Sequence, residues 1–280
     1  MHRARDIQMT SDYYAIPRHV ESIQDCLFYH TIDLPGYGPQ QGHWDLRAGV
    51  SDYLGHVALR GKRVLEVGTA NGLLCFEMEK MGAEVVGYDL SDKDDGDLTP
   101  FGGRPNEERL AASREQVRRL NNAWWLAHRL MKSRAKVVYG SVYSIPEEIG
   151  PFHVSTFGCI LLHLRDPFLA LQKAAVITTE TVIVTEPMPR YMNLLETPLR
   201  ALAPLLPKKV YDRFMRCMRF LPDSRKPECR DTWYTWWQLP PDLVTEFLKV
   251  LGFPETKVTY HTQTFMGRPQ TMFTAVGRKP

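Results

Sequence analysis

One strand-turn-helix-strand segment constrains the fold of this chain more than any other feature. The apolar, β-branched run Arg63 to Val67 predicts a buried central strand, and Gly68 and Gly72 bracket the turn after it. Glycine permits a positive φ there and the close approach of a ligand to the backbone. A helix from about Asn71 to Met81 and a second buried strand ending at Asp89 follow. This pattern is half of a nucleoside-binding α/β unit.

The details of the turn favour S-adenosylmethionine (SAM) over a dinucleotide. A dinucleotide site needs Gly-x-Gly-x-x-Gly, whose middle glycine admits the pyrophosphate, and Ala70 occupies that position here. SAM carries no phosphate, and its methionine ammonium suits a nearby carboxylate such as that of Glu66. Asp89 is positioned to accept hydrogen bonds from both ribose hydroxyls. A Rossmann-like domain that binds something else, or nothing, is the alternative.

The rest of the chain alternates predicted strands and helices, which is typical of an α/β fold. Asp166 and Pro167 are suited to begin a helix as its N-cap and first residue. Further helices are predicted at 45–59, 106–132 and 241–251, and further strands at 136–139, 152–157, 181–185, 256–261 and 271–276. We expect a Rossmann-like α/β sheet of seven strands, six parallel and one antiparallel, with the last two strands forming a hairpin.

The pattern also predicts a division of the chain. It consists of an N-terminal helical cap segment (1–60), a cofactor-binding core (61–186), a helical lid insert (187–235) and a C-terminal completion of the core sheet (236–280). The insert is predicted because residues 187 to 232 interrupt the alternation of strands and helices.

Composition excludes several classes of protein. Apolar residues make up 44% of the chain, enough for a sizeable core, and the net charge of +3 is too small to indicate a polyanionic partner. The five cysteines are odd in number and form no Cys-x-x-Cys pair, which argues for reduced thiols in a cytoplasmic protein and against a zinc site. We expect no signal peptide and no transmembrane segment.

Two further segments carry a resemblance to a known family. The run Phe28 to Pro35 followed by Trp44 to Arg47, and the run Val154 to Pro167, resemble the tRNA wobble-uridine (mo5U34) methyltransferase-like family over roughly residues 25 to 185. The resemblance implies a class I methyltransferase fold and methyl transfer from SAM. Relatives of this type also modify small molecules such as sugars and natural products, so the resemblance leaves the substrate open.

Two positions depart from the pattern of that family. Members that transfer a carboxymethyl group carry a tyrosine where this chain has Leu162, and leucine has no hydrogen-bond donor for the extra carboxylate. We therefore expect ordinary SAM as the cofactor. His153 stands where many methyltransferases place an aspartate.

The expected cofactor contacts follow the strand ends. Ser141 and Val142 should lie beside the adenine, or else begin a helical turn. Gly158 and Cys159 should lie under the methionine moiety, or else serve tight packing. The complete set of residues predicted to bind the cofactor is Trp44, Glu66, Gly68, Ala70, Asn71, Gly72, Asp89, Leu90, Ser141, Val142, Gly158 and Cys159.

Two residues are candidates for catalysis. His163 titrates near neutral pH and suits a general base, although a buried histidine bonded to backbone is a competing interpretation. Glu186 follows the fifth predicted strand and faces the same edge, and its alternative roles are a helix cap or an ion pair. Methyl transfer needs no strong base where in-line positioning supplies the acceleration.

An acidic stretch, Asp92 to Asp97, lacks the spacing of a calcium loop, and the fourth predicted strand ends without a carboxylate. We interpret the stretch as a solvated loop and expect no metal.

Two basic stretches bear on the substrate. Residues 106–136 hold eight Lys or Arg against three Glu and include Trp124 and Trp125, and residues 186–230 hold ten Lys or Arg against five acids. Basic charge with aromatics suits RNA. The second stretch is also rich in leucine, and it equally suits a lid over an apolar or anionic small molecule or a membrane-bound substrate, or a cap or dimer interface. The aromatic cluster at 233–237 is either a substrate wall or packing.

Three functions remain in competition. The first is a metal-independent methyltransferase acting on an oxygen or nitrogen of a small molecule, such as a natural product, a sugar or a lipid-like compound. The second is a tRNA methyltransferase, whose RNA affinity would fall steeply with salt. The third is a non-catalytic binding module that keeps the cofactor fold. A homodimer is compatible with each of them.

Overall fold

The computed structural model describes residues 12–103, 107–189, 192, 207, 216–227 and 233–280. The strands are β1 (Ile32–Leu34), β2 (Gly38–Gln40), β3 (Trp44–Asp45), β4 (Arg63–Val67), β5 (Glu84–Asp89), β6 (Lys136–Tyr139), β7 (Phe152–Gly158), β8 (Thr178–Pro187), β9 (Arg219–Phe220), β10 (Trp237–Gln238), β11 (Glu255–Phe265) and β12 (Arg268–Arg278). The α-helices are α1 (Val50–Tyr53), α2 (Leu73–Lys80), α3 (Glu107–Met131), α4 (Pro167–Val176) and α5 (Pro241–Val250).

Eight strands form one sheet in the order β3-β11-β12-β8-β7-β4-β5-β6. The five strands β8, β7, β4, β5 and β6 pair in parallel, and β12 pairs antiparallel with both β8 and β11. The carboxyl ends of the five parallel strands therefore lie along one edge. The predicted α/β sheet is confirmed, and β3 adds an eighth, two-residue strand that the sequence did not indicate.

Alternate residues of each central strand bury their side chains on opposite faces of the sheet. In β4, Val64 packs with α2 and α3, whereas Leu65 packs with α4 and α5. Because both faces are covered by helices, the central strands are apolar almost throughout. The result is two hydrophobic layers with the sheet between them.

Local chemistry explains where the helices begin. The side chain of Asp166 accepts a hydrogen bond from the Leu169 N–H at 2.9 Å, with Pro167 as the first residue of α4. Gly72 has a left-handed backbone, φ +83°, immediately before α2. Both starts agree with the sequence prediction. Across the part of the chain that the structure describes, no helix has the length and apolarity needed to cross a membrane.

The N-terminal region differs from the prediction. The helix predicted over 45–59 is wrong: only Val50–Tyr53 is α-helical, and Trp44–Asp45 forms β3. The described residues before it contain a 3-10 turn at Ile23–Asp25 and the β1–β2 hairpin. The predicted lid insert lies largely outside the described residues, and the proposed division of the chain stays a prediction.

Candidate functional site

The carboxyl edge of the parallel strands brings most of the predicted site residues together. The turn after β4, the tip of β5 and the segments after β6, β7 and β8 are neighbours there because those strands are neighbours in the sheet. Backbone hydrogen bonds connect these strand ends. The Gly68 N–H donates to Tyr88 O at 2.8 Å, and the Cys159 N–H donates to Thr185 O at 2.8 Å.

Asp89 connects the first two of these ends. One carboxylate oxygen accepts a hydrogen bond from the Ala70 N–H at 2.7 Å, and the other accepts one from the Leu90 N–H at 2.8 Å. Burial raises the pKa of Asp89, and these two N–H groups oppose the rise. Each oxygen has a further lone pair, so the carboxylate retains the capacity to accept hydrogen bonds from a ligand.

Two non-glycine residues at this edge have left-handed backbones. Ala70 has φ +50° in the turn after β4, and Cys159 has φ +51° directly after β7. A left-handed conformation costs a residue with a Cβ on the order of 1 kcal/mol, and such strain clusters at functional sites. Two of the five left-handed non-glycine residues in the described part of the chain thus lie at adjacent strand ends on this edge.

Glu66 lies beneath the turn and is 1% exposed. One carboxylate oxygen accepts a hydrogen bond from the Thr69 hydroxyl at 3.0 Å, and the other, Oε1, is buried without a partner among the described residues. Burial raises the pKa of Glu66 to about 7. The unpaired oxygen is an acceptor that a cationic group would satisfy.

Asn71 has a role that the sequence did not indicate. Its side-chain oxygen accepts hydrogen bonds from the backbone N–H groups of Tyr29, at 3.2 Å, and His30, at 2.8 Å. Its amide donates to His30 O at 3.1 Å. The amide group therefore clamps the N-terminal segment onto the turn instead of presenting itself to a ligand.

Protein packing explains three of the predicted glycines. A Cβ at Gly68 would approach Ile160 to 3.1 Å, one at Gly72 would approach Trp124 to 2.7 Å, and one at Gly158 would meet the Tyr53 ring at 2.9 Å. Small size is required at each position for internal contacts.

Ser141 and Val142 begin a 3-10 turn after β6, with the Ser141 hydroxyl accepting a hydrogen bond from the Tyr143 N–H at 3.3 Å. This matches the alternative that the sequence left open. Trp44 lies on β3, packs against Phe265 and donates from Nε1 to the Tyr29 hydroxyl at 3.2 Å. That strand is at the far end of the sheet order from β5, and whether Trp44 contacts a cofactor stays a prediction.

His163 lies in the 3-10 turn Leu161–His163 after β7. Its Nδ1 is 2.5 Å from the carbonyl oxygen of Tyr234. A carbonyl only accepts, so Nδ1 carries the proton and Nε2 is the basic nitrogen of the neutral ring. Burial lowers the pKa of His163, and the bond to Tyr234 O opposes this.

Glu186 is 1% exposed at the end of β8. Its Oε1 accepts a hydrogen bond from the Leu161 N–H at 2.8 Å, while Oε2 is buried without a partner among the described residues. Burial raises the pKa of Glu186 to about 8, against the opposing effect of the backbone N–H groups at 160–162. Of the two predicted alternatives, a bond of the cap type is present, from the Leu161 N–H, whereas Oε2 has no cation or other partner in the described residues.

The acidic stretch is not a simple solvated loop. The Asp97 carboxylate accepts hydrogen bonds from the Tyr143 hydroxyl and from the Arg165 N–H at 2.7 Å. The Asp97 backbone oxygen accepts one from Trp236 Nε1 at 2.6 Å. The loop thus anchors the segment that holds His163. No group of potential metal ligands is present within the described ranges.

The basic stretch on α3 does not present the aromatic side chains that were predicted to accompany its charge. Trp124 and Trp125 are both buried in the core and pack against each other and His128, so they present no surface for stacking bases. Arg114 and Arg118 pair with acids of this chain. His153, whose role the sequence left open, accepts a hydrogen bond from the Arg63 N–H at 2.8 Å.

Sequence reasoning missed two tyrosines, Tyr29 and Tyr53. The Tyr53 ring covers Gly158, and the Tyr29 backbone is held by Asn71. Tyr29 lies within the Phe28 to Pro35 run that resembles the wobble-uridine family, and Tyr53 follows the Trp44 to Arg47 run, so the resemblance was the available signal for both.

Comparisons with known proteins agree with this fold. The chain aligns over its full length with 98% of the N-terminal domain of EvdMO1, in crystal structures with SAH and D-fucose (16% identity, TM-score 0.54) and with SAH alone (15% identity, TM-score 0.53). At this identity the similarity shows the fold alone, a Rossmann-like α/β fold.

Sequence similarity is more limited. A stretch of 39 residues is 56% identical to the ubiquinone biosynthesis O-methyltransferase of Azoarcus sp. (strain BH72). The match spans 14% of this chain and only 17% of that relative. No family model matches the chain.

Proposed function

We propose that this chain is a SAM-dependent methyltransferase that acts on an oxygen or nitrogen of a small molecule. The observation that carries the proposal is the bond from the Ala70 N–H to the Asp89 carboxylate at 2.7 Å. It joins an acid at the tip of β5 to a turn that lacks the middle glycine needed for a pyrophosphate. The fold shared with SAH-bound EvdMO1 supports the same cofactor.

The residues at this edge fit SAM. Asp89 has lone pairs for two ribose hydroxyls, and the Oε1 of Glu66, buried beneath the turn without a partner among the described residues, is an acceptor on the side where the ammonium group would lie. Ser141 and Val142 follow β6, on the side where the adenine would lie. When bound, SAM supplies a methyl group on a positively charged sulfur.

His163 is proposed as the group that takes the proton from the acceptor. Its Nδ1–H is held by Tyr234 O, which leaves Nε2 as the acceptor nitrogen. Burial lowers the pKa of this histidine, so the ring is neutral and able to accept a proton at physiological pH.

A small-molecule substrate is favoured over tRNA. The burial of Trp124 and Trp125 removes the aromatic surface that would have supported RNA stacking. The neighbour EvdMO1 was crystallised with D-fucose, and the relative with a local match is named for ubiquinone biosynthesis. Both names support a small organic acceptor.

The test is a transfer assay with methyl-labelled SAM, offered to panels of sugars, phenols and amines and, separately, to total tRNA lacking native modifications. Label in a small molecule, unaffected by salt, is the expected result. Transfer of label to tRNA at low salt that is lost at high salt would favour a tRNA methyltransferase. SAH binding without transfer to any acceptor would favour a binding module.

A further inference from the structure

Four polar side chains lie near one another at the carboxyl ends of β7 and β8 and interact electrostatically, and we call them the acceptor cluster: Tyr29, Tyr53, Cys159 and Glu186. The Tyr53 hydroxyl lies against the end of β7, since a Cβ at Gly158 would be 2.9 Å from it. The Tyr29 hydroxyl accepts the hydrogen bond from Trp44 Nε1. The four side chains come from four separate parts of the chain, so only the folded protein assembles them.

Glu186 has one carboxyl oxygen with a hydrogen-bond partner and one without a partner among the described residues. Oε1 is fixed by the Leu161 N–H at 2.8 Å, which holds the carboxyl group in one orientation. Oε2 is buried and has no partner among the described residues. A buried polar atom without a partner destabilises the folded protein, and a ligand that supplies the partner removes this penalty.

The cluster is uncharged or nearly so at neutral pH. Burial raises the pKa of Tyr29, of Tyr53 and of the Cys159 thiol, and proximity to Glu186 raises each further. Within the described part of the chain, no lysine or arginine influences these groups. Among the described residues, a carboxylate or phosphate on the substrate would therefore find no cation beside this cluster.

A hydroxyl group satisfies Glu186 in either protonation state. It donates to Oε2 when the carboxyl is ionised and accepts from it when the carboxyl is protonated. The tyrosine hydroxyls are equally able to donate or accept. An ammonium group only donates and a carboxylate only accepts, so each fits one state alone.

We propose that Glu186, Tyr53 and Tyr29 form the subsite for the methyl acceptor and that this acceptor is an uncharged hydroxyl compound. This inference rests on the proposed function. Gly158 and Cys159, expected under the methionine moiety, adjoin the same groups. The acceptor hydroxyl would thus be bound next to the methyl donor.

The experiment uses the full chain saturated with SAH and two matched pairs of probes: catechol with 3,4-dihydroxybenzoate, and methyl β-D-glucoside with methyl β-D-glucuronide. The first acid adds a carboxylate to the catechol ring and keeps both hydroxyls, and the second has a carboxylate in place of the 6-hydroxymethyl group. Binding is measured by saturation-transfer NMR and titration. The variants are Glu186→Gln and Tyr53→Phe, with the exposed Glu255→Gln and Tyr37→Phe as matched controls.

At least one neutral probe should bind about tenfold more tightly than its acid, since the acid leaves a charge unpaired. Glu186→Gln and Tyr53→Phe should each weaken that binding roughly three- to tenfold, and the controls should not. An infrared band from the Glu186 carboxyl, identified by its loss in Glu186→Gln, should shift when the probe binds.

Three results would overturn the subsite: acids that bind as tightly as neutral probes, no binding by either neutral probe, or unchanged binding in both variants. A separate SAH titration distinguishes the two proposals. Failure to bind SAH removes the proposed function together with the subsite, whereas normal SAH binding with any of the three results removes the subsite alone.

Discussion

The Asp89 carboxylate accepts a hydrogen bond from the backbone N–H of Ala70, 2.7 Å away, across the carboxyl ends of β4 and β5. Ala70 is held in a left-handed conformation at that point, φ +50°. The acid therefore stabilises a strained turn at the place where we propose that the ribose binds. Its replacement should affect both stability and ligand binding.

Asp89→Ala should weaken SAH binding by about 1–3 kcal/mol, because charge-assisted hydrogen bonds to the ligand are lost. Calorimetric titration measures the affinity, and circular dichroism confirms that the variant is folded. Asp95→Ala, which removes an exposed partner of Arg114, serves as the control and should bind SAH normally. Unchanged affinity in folded Asp89→Ala would remove the ribose assignment.

Asn71→Ala should lower the free energy of unfolding by about 2–4 kcal/mol, since three hydrogen bonds of a fully buried amide are lost. Chemical denaturation measures the change. Hydrogen exchange at Tyr29 and His30 should accelerate, because their N–H groups lose their acceptor. Gln40→Ala removes only exposed bonds and is the control. Unaltered exchange at both amides would contradict the clamp.

His163→Ala should reduce kcat by about 10²-fold with SAH affinity near normal, if Nε2 takes the proton. His163→Asn keeps a donor for Tyr234 O but has no basic nitrogen, so it should be equally slow. Because burial lowers the pKa of His163, activity should persist below the usual histidine range and fall only at still lower pH. Full activity in either variant would assign His163 to packing.

Glu186→Gln should change how stability depends on pH. Burial raises the pKa of Glu186 from 4.5 to about 8, so the folded state keeps a proton that the unfolded state has released. This contribution to stability is complete below about pH 4.5 and is lost as pH rises to about 8.

Denaturation at pH 5 and at pH 8.5 provides the test. From pH 5 to pH 8.5, the free energy of unfolding of the variant should rise by on the order of a few kcal/mol relative to that of the wild type, because glutamine does not ionise. The buried Glu66 contributes equally to both proteins and cancels in the comparison. Parallel pH profiles would show that Glu186 is not a buried carboxyl with a raised pKa.

The sequence was sufficient to predict the core of the fold, because its signals are local. The strand at Arg63–Val67, the left-handed Gly72 and the N-cap Asp166 all act through neighbours along the chain. Trp44 and Asp45 could not be assigned in this way. They form a strand because they pair with Phe265 and Thr264, more than two hundred residues away.

The site was predicted in position but less well in detail. Asp89 lies where the acid at the strand end was expected, whereas Asn71 contacts protein backbone from a distant segment. Trp124 looked suited to RNA because helical periodicity did not reveal that its face is buried against Phe76. Such pairings depend on tertiary contacts that have no local sequence signal.

Calorimetric titration of SAH into the purified full chain, with NADH as the comparison ligand, distinguishes a SAM site from a dinucleotide site. One SAH per chain should bind saturably and with little dependence on salt, and NADH should give no heat of binding. No SAH binding to the folded protein, or NADH binding in its place, would contradict the proposed SAM site.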